Sequence, residues 1–418
     1  MNEIFITKIQ VNESRNIRDL TILLSDRESK HLIITGKNGS GKTSLLNDLS
    51  KYLNFVDNTQ YLQYPNQLKN LNYLEEQLST LSKQLITDRS EAQKKQLEDN
   101  IIQTKKWIKQ FDRVEISFTA NTESIFKEVN EGNYLIAFFD AKRHSNVNVP
   151  NGITKINLKK KYRIGDKARQ DFIQYIVNLK ADRSFARDEG EKDEVRKIDK
   201  WFNQLQVRLQ TLFECPTLQL KFDRKNYNFN IIEDNKLPFS FNTLSDGYSA
   251  IISIASELLL RMEGHGAKAY DLQGVVLIDE IETHLHVELQ KRVLPFLSDF
   301  FPKIQFIVTT HSPFILSSVS NAVVCDLESG LVTDDLSGYS YDAIIESYFN
   351  SDKYSEEIKQ KILIFEKLSS AKQLNDQQKD ELRQLRNYFV HVPKYLSKEL
   401  MVKLQQIELQ NLLKKDNK

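Results

Sequence analysis

Cysteine is almost missing from this 418-residue chain. The two present, Cys215 and Cys325, lie far apart and form no C-x-x-C pair, which excludes a disulfide framework and a cysteine-built zinc site and fits a reducing compartment. A surplus of either charge is missing as well: 58 Lys and Arg face 57 Asp and Glu, for a net charge of +1. No global field therefore draws the chain to nucleic acid or to an anionic membrane, and any such binding needs a local patch. No stretch approaches the roughly 18 apolar residues of a membrane span, and Glu3, Lys8, Glu13, Arg15 and Arg18 break the opening segment with charge. These absences predict a cytoplasmic protein without membrane contact. The length admits two or three domains, or one fold enlarged by insertions.

What is present begins with glycine. Gly36, Lys37, Asn38, Gly39, Ser40, Gly41, Lys42 and Thr43 fit G-x-x-x-x-G-K-[ST] without a gap, and Ser44 follows. His31 to Ile34 reads as a buried strand before this loop, and Ser44 to Leu49 as the start of a helix with an apolar face after it. That order aims backbone N–H groups and the positive end of a helix dipole at one spot, where a polyphosphate can sit. Lys42 is placed to reach the β and γ phosphates and the Thr43 hydroxyl to ligate Mg²⁺, so the expected ligands of residues 36 to 44 are ATP and Mg²⁺.

Hydrolysis also needs an acid to hold metal and a group to orient water. Gly274 to Ile278 is an uncharged apolar run that ends in Asp279 and Glu280, as suits a strand buried on both faces whose acids emerge at its carboxyl end. Asp279 is the candidate metal ligand and Glu280 the candidate base that polarises water. A second buried run, Ile304 to Thr310, ends at His311, which could sense the γ phosphate or serve structure alone. Ser245 precedes the long apolar helix from Ser249 to Met262, either as a second anion-binding helix start or as the plain cap of a core helix.

Taken together these pieces resemble the ABC-type ATPases of the RecF, SMC and overcoming-lysogenization-defect (OLD) kind. The pattern Ile4-x-Ile6-x-x-Ile9-x-Val11, with Arg15, Arg18 and a strand from Leu20 to Leu24, is similar to the first strands of that group. Asp279-Glu280 with Thr283-His284-Leu285-His286 resembles its second acidic motif, Thr309 to Pro313 its switch histidine, and Leu244-Ser245-Asp246-Gly247 its signature. The likeness covers residues 1 to 55 and about 240 to 320. It implies an α/β fold, an ABC-type P-loop ATPase head on a mixed, largely parallel sheet. It also implies that Ser245 and Gly247 of one copy close over the nucleotide of another, making ATP the glue of a homodimer or higher homo-oligomer in which a lone head turns over slowly. Asp246 departs from the glycine common in that signature; Gln170 and Gln174 are candidates for a glutamine loop, and Arg143 for a further site residue.

Residues outside the likeness read as additions, with the head at 1–62 and 113–336. Leu71, Leu74, Leu78, Leu81 and Leu85 form a heptad seam, and Leu97, Ile101, Thr104, Ile108 and Phe111 a second. With a capping box at Ser90 to Gln93 and a turn near Thr87 to Arg89, they predict an antiparallel coiled-coil hairpin over 63–112, either a docking prong or a hairpin packed on its own head. A helical insertion is expected over about 165–213, where Glu189 to Lys200 reads as a charged helical surface. Lys155 to Arg169 carries seven bases against Asp166 alone, a candidate nucleic-acid surface or a merely solvated run. A C-terminal helical region over 337–418 has helix starts at Ser355 and Asn375 and an apolar face at Leu396, Leu400, Leu404 and Ile407.

The layout is similar to the ATPase subunits of the Septu and PARIS antiphage systems, which act with a separate nuclease. With no Toprim-like acid cluster, HNH motif or Ser/His/Asp set, the expectation is an ATPase subunit that senses or scaffolds and regulates an effector nuclease on another polypeptide. A DNA-repair ATPase that binds DNA directly and a scaffold glued by ATP with negligible turnover are the alternatives.

Overall fold

The computed structural model describes residues 3–58, 60–82, 88–142, 148–234, 236–265, 272–348, 356–371 and 374–391, with Val402 and Gln406. Its contacts divide the chain into two units, Met1–Tyr341 and Asp342–Lys418.

The first unit opens with β1 (Ile6–Ser14) and β2 (Ile17–Leu23), an antiparallel hairpin whose turn places Arg15 at φ 54°. Next come β3 (His31–Thr35), α1 (Lys42–Asp57), α2 (Tyr64–Ser82), α3 (Asp88–Ile108), β4 (Val114–Phe118), α4 (Thr122–Glu131) and β5 (Tyr134–Phe139). There follow α5 (Phe172–Asp188), α6 (Lys192–Phe213), β6 (Gln219–Asp223), β7 (Asn228–Ile232), β8 (Phe239–Ser240) and α7 (Asp246–Gly264). The unit closes with β9 (Gln273–Ile278), α8 (Val287–Phe300), β10 (Ile304–Thr309), α9 (Pro313–Leu316), β11 (Ala322–Asp326) and β12 (Val332–Asp334). Beyond these lie α10 (Tyr341–Tyr348), α11 (Glu356–Ser370) and α12 (Asp376–His391).

The six-stranded sheet positions the site. Its order is β12-β11-β3-β10-β9-β5, with β12 antiparallel and the other five parallel. The apolar runs read from sequence become β3, β9 and β10, and Leu32, Ile33, Ile34, Val275 to Ile278 and Phe306 to Val308 are all fully buried. Burying each such side chain stabilises by about 1.5–3 kcal/mol, and only a strand covered on both faces can use so unbroken a run. Because β10 lies between β3 and β9, with Val308 level with both Ile33 and Ile278, the carboxyl ends of these strands are neighbours. The α/β head with a mixed, mainly parallel sheet is thus the architecture found. Two antiparallel three-stranded sheets, β2-β1-β4 and β6-β7-β8, complete it.

α2 and α3 pair in antiparallel fashion: Glu75 bonds Lys105 at 2.7 Å, and Leu81 and Leu97 line one polar cleft between them. No α2 residue among those described is buried, whereas Ile101, Ile108 and Phe111 are, and Phe111 stacks among Phe55, Tyr64 and Trp107 at the base. The expected helix start is corrected: Asp88 and Arg89 are already helical, so Ser90 lies within α3. Leu85 and Thr87 fall outside the described residues.

The segment that carries the bases Lys155 to Arg169 has no helix or strand before the short turn at Arg169–Asp171. Part of its charge is internal: Lys159 pairs with Asp166 at 2.9 Å and Lys161 with the buried Asp57 at 2.9 Å. A buried strut fixes it to α7. Arg261 bonds Glu257 at 2.8 Å and donates to the carbonyls of Ile136, Arg163 and Asp166, while Glu257 accepts the N–H groups of Ala168 and Arg169. The Glu189–Lys200 surface is only half surface, since α6 turns Ile198 inward.

In the second unit α11 and α12 pack through Ile362, Phe365, Leu368, Leu385 and Phe389. Asn375 starts α12 with a reciprocal cap: its side chain accepts the Gln378 N–H at 2.8 Å, and Gln378 accepts the Asn375 N–H at 3.1 Å. Ser355, Leu396, Leu400, Leu404 and Ile407 lie outside the described residues.

Candidate nucleotide site

The loop from Gly36 to Gly41 turns because three of its residues occupy left-handed backbone, with Gly36 at φ 135°, Gly39 at 84° and Gly41 at 106°. At Gly36 space forbids a side chain too: a Cβ would stand 2.8 Å from Ser40 Oγ and 3.3 Å from Asp326 Oδ1. Gly41 occupies the cap position of α1, whose inner face buries Leu45, Leu46, Leu49, Leu53 and Val56. The Lys42 ammonium folds back under the loop and donates to the carbonyls of Gly36 at 2.8 Å and Lys37 at 3.1 Å. Burial lowers its pKa against the pull of Glu282, Glu280, Asp279 and Asp326. Lys37 and Asn38 are exposed, and Lys37 pairs with Glu328 at 2.5 Å. Ser44 is half-buried behind Thr43.

The acids face this loop across the sheet edge. Thr43 Oγ1 lies 3.3 Å from Asp279 Oδ1, and Thr309 Oγ1 donates to the same oxygen at 2.6 Å. Glu280 follows at φ 44°, left-handed backbone that is strained for a non-glycine residue. Its N–H donates to Thr309 Oγ1 at 2.7 Å, and Thr283 Oγ1 reaches its carboxylate at 3.4 Å. His311 is half-buried at the end of β10; burial first, and then Lys42, lower its pKa, while Glu282, Glu280 and Asp279 oppose them. Its N–H donates to Glu282 Oε1 at 2.5 Å.

Lys42, Thr43, Asp279, Glu280 and His311 therefore meet at one place, while Ser245 and Gly247 belong to another. Ser245 is exposed in the cap position of α7, yet its hydroxyl caps no N–H, which corrects the capping role read from sequence. Gly247 is buried against the post-acid turn, where a Cβ would meet His284 O at 3.1 Å and Leu289 Cδ1 at 3.0 Å. Gln174 donates to Gly152 O and Asn178 Oδ1, and Gln170 sits in the turn before α5. Arg143 falls outside the described residues. Glu282 has no part in the sequence reading and Thr309 appears there only as one letter of the run to Pro313, with no role of its own.

The donor set fits a Mg²⁺ nucleotide. A hydroxyl and a carboxylate are hard oxygen ligands of the kind Mg²⁺ takes, Lys42 is a buried cation, and Ser40 Oγ is buried in the loop with no hydrogen-bond partner. Fold and site together are those of a P-loop nucleotide-binding head. Residues 32–317 match the family described as "AAA domain, putative AbiEii toxin, Type IV TA system", and the chain belongs to that family. Over 153 residues it is 31% identical to the Septu protein PtuA of Bacillus mycoides (strain KBAB4), a match covering 34% of this chain and 21% of that protein. Over 103 residues it is 34% identical to the Retron Ec83 probable ATPase of Escherichia coli, covering 24% and 19%. The chain thus spans about a fifth of the length of these curated relatives. The solved SMC head domain from Thermotoga maritima superimposes with a TM-score of 0.36 at 12% identity, over 77% of this chain and 94% of that one.

Proposed function

We propose that this chain binds and slowly hydrolyses ATP as the regulatory subunit of an antiphage complex, with two copies sandwiching nucleotide and a separate nuclease as effector. The observation that carries the reading is the convergence of Lys42, Thr43, Asp279, Glu280 and His311 on one sheet edge. The names of the Septu and retron relatives support the antiphage setting, and the exposed Ser245 turn supports a partner head as the missing wall of the site.

Thr43 and Asp279 would hold Mg²⁺, which when bound neutralises charge on the phosphate oxygens. Lys42 exchanges the Gly36 and Lys37 carbonyls for phosphate oxygen, a trade its flexible stem permits and its burial favours. Glu280 orients and polarises the attacking water, and His311 donates a ring N–H to an oxygen of the terminal phosphate. A head alone presents only one wall to the phosphates, so turnover waits for the Ser245 turn of a second copy. The paired helices α2 and α3 serve as the docking arm of the head.

Glu280→Gln and Lys42→Ala test the chemistry. Glu280→Gln is expected to keep nucleotide affinity, measured by calorimetry, while phosphate release falls about 10²–10⁴-fold; Lys42→Ala is expected to lose affinity itself. Unchanged phosphate release in Glu280→Gln would instead favour the scaffold that ATP merely glues.

A further inference from the structure

The acid turn after β9 and the histidine turn after β10 hold one another in both directions. From β10, the fully buried Thr309 hydroxyl donates to Asp279 Oδ1 at 2.6 Å and accepts the Glu280 N–H at 2.7 Å, so one oxygen ties both acids. The Ile281 N–H then donates to the Thr309 carbonyl at 3.1 Å. From the acid turn, Glu282 reaches back and takes the His311 N–H on Oε1 at 2.5 Å. These bonds lie beyond the last register pair of the two strands, Val308 with Ile278, so the sheet ladder alone does not supply them. A buried parallel strand favours valine or isoleucine at such a position; a threonine that makes two bonds to an acid pair is there for its hydroxyl.

We infer that Thr309 and Glu282 are positioning residues that lock the acid turn to the histidine turn, so that Glu280 and His311 move toward or away from the phosphates as one body. The inference rests on the nucleotide reading above. Thr309 keeps Glu280 in its left-handed conformation by holding its N–H, and fixes the rotamer of Asp279 through the carboxylate. Glu282 sets the height of His311 above the loop. Its second oxygen, Oε2, is buried without a hydrogen-bond partner, and its charge acts on both Lys42 and His311. A group entering against Lys42 therefore acts on the histidine turn through Glu282 and on the water-orienting acid through Thr309.

Four variants of the full chain, Thr309→Val, Thr309→Ser, Glu282→Ala and Glu282→Gln, test this by three readouts. These are kcat and KM for ATP, the gain in affinity for a fluorescent ATP analogue when Mg²⁺ is added, and the thermal midpoint. Thr309→Val is expected to lower kcat about tenfold or more with KM nearly unchanged and to shrink the Mg²⁺ gain severalfold, because Asp279 loses its fixed rotamer. Thr309→Ser restores both. Glu282→Ala is expected to lower kcat about tenfold, and Glu282→Gln to recover most of it, since an amide oxygen accepts the same N–H. Wild-type kcat and Mg²⁺ gain in Thr309→Val, or losses that follow the thermal midpoint and are not rescued by serine, would overturn the inference. So would a Glu282→Ala that matches wild type. A wild-type chain that binds no nucleotide sinks the parent reading, whereas one that binds with Mg²⁺ but does not turn over leaves the Mg²⁺ gain of Thr309→Val to decide the lock.

Discussion

At the level of single residues, two buried side chains from β3 and α1 carry opposite kinds of information. Lys42 is a cation kept under its own loop, and burial lowers its pKa. His31 is a neutral base at the start of β3: its Nδ1 accepts the Phe306 N–H at 3.1 Å, its Nε2 is buried without a partner, and burial lowers its pKa to about 4. The unfolded chain therefore binds a proton between about pH 6.5 and 4 that the folded chain refuses, so stability is intact above 6.5 and falls as pH drops through that window, by about 3 kcal/mol in all. His31→Gln is expected to flatten this acid slope in urea melts taken from pH 7 to 4.5; an unchanged slope would place the acid sensitivity elsewhere. The phosphate loop, the acid pair and His311 were legible in sequence because each sits at the end of an apolar run whose burial fixes its place. Thr309 and Glu282 were not, because their roles are mutual and appear only once β9 and β10 are known to be neighbours.

At the level of elements, the sheet order explains why motifs far apart in the chain share one edge, and β10 does so by lying between the other two strands. The three strands could be read from continuous hydrophobicity; the order in which they pair could not, since parallel pairing leaves no local turn signal. Ser90 and Gln93 have the letters of a cap, but letters alone do not set a helix start, and Asp88 and Arg89 are already helical. Nothing local in Lys155 to Arg169 foretold its attachment to α7, because the strut uses carbonyls and N–H groups that every sequence has. Arg261 and Glu257 are each 3% exposed at the side chain. Arg261→Ala leaves the Glu257 charge buried beside an emptied space and is expected to cost about 3–5 kcal/mol. Glu257→Gln keeps an acceptor for one N–H and is expected to cost less, an ordering that chemical denaturation checks directly.

At the level of the whole molecule, one head brings Lys42, Thr43, Asp279, Glu280 and His311 to one sheet edge, whereas its Ser245 turn is exposed and Gly247 packs against the post-acid turn. On the proposed reading the two halves of the site come from different copies, each copy carrying both halves. The paired helices α2 and α3, without a buried residue on α2 among those described, give the head a surface for further contacts. That shared geometry makes a test by mixing possible. Lys42→Ala and Ser245→Arg are each expected to be inactive alone, one lacking the cradle's cation and the other blocking the turn that closes it. Combined in equal amounts, random pairing gives mixed dimers in which the intact cradle of one copy meets the intact turn of the other, restoring about a quarter of the wild-type sites. Recovery of ATP turnover toward that fraction is what the account predicts; a mixture no more active than the mean of its two components would contradict it.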